Sequence, residues 1–176
     1  ASRPASGETK TISLVNSLSP KEAKLHYCHI SSTDSFSAMK AGSTFEVAPH
    51  HLFLSYERAE NPADTHMRMN PPLREESERK SLLAAFDKID VIASDHAPHT
   101  IAEKSAEFAS APSGIPGVET MLPLLMNEVH AGRLNLSAVI EKTVTNPNRI
   151  LGIESPAFVP GARADFALYA ESPVKI

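Results

Sequence analysis

Between Asp90 and His99 the chain reads Asp-Val-Ile-Ala-Ser-Asp-His-Ala-Pro-His, so an apolar stretch of strand character, residues 89–94, stops at a carboxylate and two imidazoles. A parallel β/α barrel buries hydrophobic side chains along its strands and presents to substrate the residues just past their C-terminal ends. Packing alone gives a buried strand no reason to finish in Asp95, His96 and His99. The placement makes Asp95 a metal ligand or general base, with Pro98 stiffening the turn that carries His99.

The rest of the chain alternates in the same way. Residues 1–7 are a polar Pro/Ser/Gly stretch, and no element is assigned before residue 24. A strand is predicted over 24–30, with Ser31, Ser32, Thr33 and Asp34 as capping residues ahead of a helix over 35–41 that Gly42 ends. A second strand covers 44–48, broken by Pro49 and followed by His50 and His51. Residues 55–72 read as a polar loop. Residues 73–87 read as an amphipathic helix, with Leu82, Leu83 and Phe86 on one face and Arg74, Glu75, Glu78 and Arg79 on the other. The third strand is 89–94. A second long loop, 100–118, ends in Pro112-Ser113-Gly114-Ile115-Pro116-Gly117, and loops of this length inside a compact domain are usually functional. Helices follow over 119–132, with Met121, Leu124, Leu125 and Val129 inward, and over 136–144. A short helical segment then starts at Asn146, with Pro147 in its first turn. The tail carries a Pro160-Gly161 turn and an alternating strand over 164–169.

Strand and helix in alternation give an α/β fold with a parallel sheet. A (β/α)8 TIM-like barrel needs eight strands and roughly 250 residues. Three strands in 176 residues are read as its C-terminal portion, over 1–157, with 158–176 starting a small β domain. Composition narrows the classes further: 41% hydrophobic and 22% charged residues support an ordered core. A net charge of -4 without a basic block offers no phosphate-tracking surface, so nucleic acid is a poor partner. No apolar run approaches the length of a membrane span, and no charged-then-apolar leader opens the sequence. The single cysteine, Cys28, rules out an internal disulfide framework and fits a reducing compartment, which makes the cytoplasm the expected location.

His29 closes the first strand, either as a core or capping histidine or as a metal ligand of the kind zinc sites gather from separate strand ends. Cys28, on the opposite face of that strand, reads as a small buried hydrophobe. Glu46 lies within an apolar strand and needs a partner or a place in a metal's outer shell, because an unpaired buried carboxylate is costly. His50 and His51 read as structural, one capping the strand and the other hydrogen-bonded to a neighbour. Asn70, before Pro71-Pro72, either belongs to a stiff helix entry or offers its amide to a substrate carboxylate or cyclic amide. Glu75, Glu76, Glu78, Arg79 and Lys80 read as a solvated helix face. With His29, His50 and Asp95 near three strand ends, a metal-dependent barrel hydrolase is the leading class, Asp95 both ligating metal and moving a proton.

Several segments, in order, resemble the dihydroorotase family of the amidohydrolase superfamily. His26-Tyr27-Cys28-His29-Ile30-Ser31-Ser32 is similar to its sixth-strand segment, and Phe45-Glu46-Val47-Ala48-Pro49-His50-His51-Leu52 to its seventh. Asn70-Pro71-Pro72-Leu73-Arg74 resembles the approach to the last barrel helix, and Ser94-Asp95-His96-Ala97-Pro98-His99 the eighth strand. Ser113-Gly114-Ile115-Pro116-Gly117-Val118-Glu119-Thr120 resembles the substrate loop, and Asn146-Pro147-Asn148-Arg149-Ile150-Leu151-Gly152 the return to a small β domain. The resemblance implies that His29 ligates the more exposed of two zinc ions, and that Asp95 ligates the buried one and acts as general base. It implies that Asn70, His99 and the Ser113-Gly114 backbone hold the substrate, with Glu46 and Cys28 behind the ligands or, as in some relatives, on an extra metal. The implied reaction is the reversible interconversion of N-carbamoyl-L-aspartate and dihydroorotate in pyrimidine synthesis. A homo-oligomer and aspartate transcarbamoylase are the implied partners.

The family's first-strand His-x-His, its carboxylated lysine on the fourth strand and its histidine on the fifth have no counterpart in this sequence. Arg3-Pro4 resembles the stretch between the fifth and sixth strands, so the remaining ligands are expected upstream. This segment alone is expected to hold zinc weakly and to be inactive. One rival is an allantoinase or dihydropyrimidinase, which shares the barrel and its metal logic. The other is a non-catalytic dihydroorotase-like subunit that scaffolds aspartate transcarbamoylase. The His50-His51 pair and His99 favour a substrate with a free carboxylate, and intact His29, Asp95 and His99 argue against the scaffold.

Overall fold

The computed structural model describes residues 3–169 other than 60, 62, 63 and 156. Among the described residues the sheet consists of β1 (His26–Tyr27), β2 (Thr44–Val47) and β3 (Val91–Ile92), all parallel and in that spatial order. His26 pairs with Thr44 across the first ladder, and Glu46 with Val91 across the second. Pairing runs past the formal strand ends: Thr44 N–H donates to Leu25 O (3.1 Å), Ile30 N–H to Glu46 O (2.8 Å) and Ala93 N–H to Val47 O (3.2 Å). The first three predicted strands therefore lie in the right places but are shorter. His29 and Asp95 adopt φ values of 43° and 45°, which turn the first and third strands out of the pleat.

Alternation along β2 sends Phe45 and Val47 into the core and Thr44 and Glu46 to the other face. The apolar face is covered by α2 (Pro49–Phe53), α3 (Glu76–Ala84), α5 (Val118–His130) and α6 (Leu136–Ile140). Val47, Leu52, Leu82, Leu125 and Val139 are essentially inaccessible, and each such side chain contributes roughly 1.5–3 kcal/mol. Lys142 and Asn146 fasten the C-terminal helices to the entrance of β3. The buried Lys142 ammonium donates to Ile89 O (2.6 Å), and Asn146 Nδ2 donates to Asp90 O (2.9 Å).

Several expectations change. A helix not read from the sequence, α1 (Ala5–Leu18), opens the described chain. It is rich in Ser and Thr, poor helix formers, and only Ile12 is buried. Tertiary bonds hold it: Glu8 accepts from Ser31 Oγ (2.5 Å) and Ser35 Oγ (2.7 Å), and Asn16 Nδ2 donates to Ala38 O (2.6 Å). The predicted helix over 35–41 is a 3-10 segment, Thr33–Ala38, capped by Ser32. Leu124 is exposed, and Met126 is buried in addition to Leu125. The charged face of α3 is not simply solvated. Glu78 accepts from the Thr33 N–H (2.7 Å), and Arg79 donates to Leu52 O (2.8 Å).

The helices predicted over 136–144 and from Asn146 join through a π segment, Glu141–Thr145, into α7 (Asn146–Leu151). Pro147 has no N–H and would crowd the carbonyl four residues back, and a widened turn accommodates it. The Pro160-Gly161 turn forms, with Ala162 N–H on Val159 O (3.1 Å) and Gly161 at φ 90°. Residues 164–169 are not a strand; Phe166 and Leu168 are exposed, and alternation without a pairing partner does not make a ladder. The remainder of the predicted β domain, 170–176, lies outside the described residues. Among the described residues no helix is long and apolar enough to cross a membrane.

Candidate active site

The C-terminal ends of all three strands converge on one polar cluster. After β1 comes His29, after β2 the first turn of α2 carries His50 and His51, and after β3 comes Asp95. His50 Nε2 lies 3.7 Å from Asp95 Oδ2. A left-handed backbone costs an L-residue roughly 1–2 kcal/mol, yet both His29 and Asp95 adopt it. Such strain concentrates where side-chain aim matters more than local comfort.

Hydrogen bonding separates the two adjacent histidines. Pro71 O can only accept, so the His51 ring nitrogen 3.1 Å away, Nε2, carries the proton. That matches the expectation of a histidine bonded to a neighbour. His50 departs from the structural reading: it is buried, packs edge-on against His51 at 4.3 Å between ring centroids, and its Nε2 has no hydrogen-bond partner. Burial lowers its pKa to about 4, with Asp95 opposing the shift and His29 adding to it. Burial also drives the His51 pKa well down, helped by His50.

Both imidazoles are thus neutral in the folded protein, whereas an unfolded histidine titrates near 6.5. Below that pH the unfolded chain binds more protons than the folded one, so stability is fully present above about 6.5 and is lost as pH falls toward about 4. The His50 contribution is on the order of 3 kcal/mol, and His51 acts in the same direction. The melting temperature is therefore expected to hold level above about pH 6.5 and to fall as the pH drops from there toward about 4. A flat or rising profile across that window would show that the pair is not held neutral.

On the open face of the sheet, Glu46 finds the partner its sequence context demanded. His26 Nε2 is 3.1 Å from Glu46 Oε2, and Thr44 Oγ1 is 2.8 Å from His26 Nδ1. A carboxylate only accepts, so Nε2 carries a proton. Cys28 is exposed, not the buried hydrophobe expected, because it shares with His26 the polar face of the sheet. Its thiol pKa is raised, first by partial loss of solvent and then by the Glu46 carboxylate. Ligand atoms of His26, Cys28 and Glu46 all lie within 4.8 Å of one another. His26 carries no signal of its own in the sequence beyond its spacing of two from Cys28.

The second long loop seats on the exit of β3. Ala97 N–H donates to Ile115 O (3.1 Å), and His96 pairs with Ile115 as an isolated parallel bridge. His96 Nδ1 accepts from the Gly117 N–H (3.0 Å) and Val118 N–H (3.3 Å), pinning the start of α5, a role the sequence did not reveal. His99 Nε2 donates to Ser113 O (3.1 Å), bringing together two of the residues expected to bind substrate. Gly114, another of them, has φ 121°, and a Cβ there would sit 2.5 Å from the Ala97 Cβ. Asn70 is exposed and its Oδ1 accepts from Arg3 (2.5 Å). Its link to the loop runs through Arg68, whose carbonyl accepts from the Gly114 N–H (2.9 Å).

Among the described residues, His26, Cys28 and Glu46 form the group whose ligand atoms lie close enough together to share a metal ion, and His29, His50 and Asp95 offer further donors at the strand exits. Both ring nitrogens of His26 are engaged, so an ion between His26, Cys28 and Glu46 must displace existing bonds. His29 Nδ1 and His50 Nε2 are buried without partners, and the Asp95 carboxylate is beside the latter. Neutral imidazole and carboxylate are the donors of zinc sites, and orphaned buried nitrogens are the condition a bound ion relieves.

No family model matches the chain. It is 45% identical over 150 residues to a dihydroorotase of Halobacterium salinarum, covering 83% of this chain and 35% of that protein. It is 38% identical over 171 residues to a dihydroorotase of Pyrococcus furiosus, covering 94% and 40%. The dihydropyrimidinase of Brevibacillus agri superposes with a TM-score of 0.77 at 23% identity, over 93% of this chain and 39% of that one. The last likeness carries the fold alone, an α/β arrangement shared with part of that chain. The chain spans two-fifths or less of the curated relatives named here.

Proposed function

From a chain that matches part of a dihydroorotase, we propose that it forms the C-terminal portion of a zinc-dependent cyclic amidohydrolase interconverting dihydroorotate and N-carbamoyl-L-aspartate. The observation that carries this reading is the convergence of strand exits. His29 and Asp95 both leave their strands in left-handed conformations, with unpartnered buried nitrogens of His29 and His50 nearby.

In this reading His29 and Asp95 hold zinc, with further ligands contributed by residues outside this chain. When bound, zinc supplies Lewis-acid polarisation and a nucleophilic water near neutral pH. Asp95 takes a proton from the attacking water at its carboxylate and returns it to the ring nitrogen as the amide C–N bond breaks. The His99 Nε2–H is committed to Ser113 O, so Nδ1 is the ring nitrogen left for a substrate carboxylate, which it meets as a donor when the ring is protonated. The backbone of Ser113 and Gly114 and the Asn70 side-chain amide complete the hold on the substrate.

A cytoplasmic enzyme of pyrimidine synthesis, assembled as an oligomer with or without aspartate transcarbamoylase, is the setting this reading implies. Its test is hydrolysis of dihydroorotate by the full-length protein with zinc, beside allantoin and dihydrouracil. Selective turnover of dihydroorotate is the expected result. Preference for either other substrate would favour the allantoinase or dihydropyrimidinase reading. Turnover of none, with zinc bound, would favour a non-catalytic scaffold.

A further inference from the structure

Lys104 ends the short helix α4 (Ile101–Lys104) on the loop after β3, and it is 5% exposed. Its ammonium donates to three backbone carbonyls: Arg68 O (3.1 Å), Pro112 O (3.2 Å) and Gly114 O (3.1 Å). An ammonium has three donors, and all three are spent in this cage. Burying a cation is expensive, so a site concerned with packing alone is better served by an apolar side chain. Burial, followed by the neighbouring Arg68 charge, pushes the Lys104 pKa below the ordinary lysine value.

The carbonyls come from two segments far apart in sequence. One is the stretch that leads into Asn70; the other is the 112–114 turn that carries Ser113 and Gly114. Further bonds tie the same segments together. Gly114 N–H donates to Arg68 O (2.9 Å), Thr65 Oγ1 donates to the Lys104 carbonyl, and the Arg68 guanidinium donates to Phe108 O while lying 5.1 Å over the Phe108 ring. Lys104 is the hub, since it bonds to both segments from a third.

We propose that Lys104 is a positioning residue for substrate binding: its ammonium locks the 112–114 turn onto the segment before Asn70, so that the two binding elements act as one rigid unit. This rests on the functional reading above. Lys104 touches carbonyls, not substrate, so its loss falls on binding more than on chemistry. Pre-organised binding elements spare the ordering cost that a mobile loop incurs when ligand arrives.

The test uses the full-length protein. Wild-type turnover of dihydroorotate is measured first; if there is none, the functional reading fails, and the exchange measurement below still decides whether Lys104 locks the turn. In Lys104→Met, KM for dihydroorotate is expected to rise about tenfold or more while kcat stays within about threefold. Amide hydrogen exchange across 112–117 is expected to speed up by about tenfold, with bound zinc unchanged. Lys104→Arg keeps the charge but is too large for the cage; it is expected to shift KM and exchange in the same direction by about threefold, and it decides the matter if the Met variant does not fold. An unmoved KM with unmoved exchange, or a loss confined to kcat, overturns the proposal.

Discussion

Asp95→Asn in the full-length protein is expected to lower kcat for dihydroorotate by about 10³-fold or more, with the melting temperature nearly unchanged. Asparagine is the informative replacement because Asp95 sits at φ 45°, a left-handed conformation that Asn tolerates and Ala does not. An alanine variant would mix backbone strain with lost chemistry. The amide has the same shape but neither accepts a proton at neutral pH nor carries the charge that a zinc ion and the nearby His50 Nε2, 3.7 Å away, would face. Bound zinc is expected to fall as well. Activity within about tenfold of wild type would remove Asp95 from the proton-transfer role.

Much of this cluster was legible because its polar side chains sit where strands stop. Ile89 to Asp95 shows it in one line: a largely apolar run, then a carboxylate where a hydrophobe belongs. Glu46 was legible as a residue needing a partner, but the partner was not. His26 lies twenty residues away, and only the parallel register that sets His26 opposite Thr44 brings it within reach. His50 was undervalued for a similar reason. A Pro-His-His turn looks like capping until the third strand arrives to put Asp95 beside it.

The same limit explains α1 and the tail. Helix α1 is held by Glu8 and Asn16 reaching to the β1 exit and the 3-10 segment, bonds that no periodicity announces. The alternating residues of 164–169 looked like a strand, and pattern alone does not supply the neighbour a strand must pair with. The Cys28 error has a different origin. Its face of the strand was read as core, but that face of the sheet carries His26, Thr44 and Glu46 and is the polar one.

Gly117→Ala is expected to be damaging although it adds a single methyl group. The backbone at Gly117 has φ -138°, an angle any residue adopts, so strain at the position itself is not the issue. Space is: a Cβ there would lie 2.2 Å from Ser94 O and 3.1 Å from Ser94 C, and a backbone carbonyl cannot rotate away like a side chain. Either the start of α5 lifts, breaking the Gly117 and Val118 bonds to His96, or Ser94 moves and carries Asp95 with it. Overpacking of this kind costs about 1–3 kcal/mol. A shift of about 1 Å in a catalytic group costs about 10²-fold in rate. Both a lower melting temperature and a kcat loss of about that size are therefore expected. Gly7→Ala is the control: it lies inside α1 with no atom within 4 Å of the added carbon, and it is expected to stabilise by about 0.5–1 kcal/mol without touching activity. If Gly117→Ala retained kcat within about threefold of wild type, the loop would not be seated against the exit of β3. The geometry that aims Asp95 would then have to come from the strand alone.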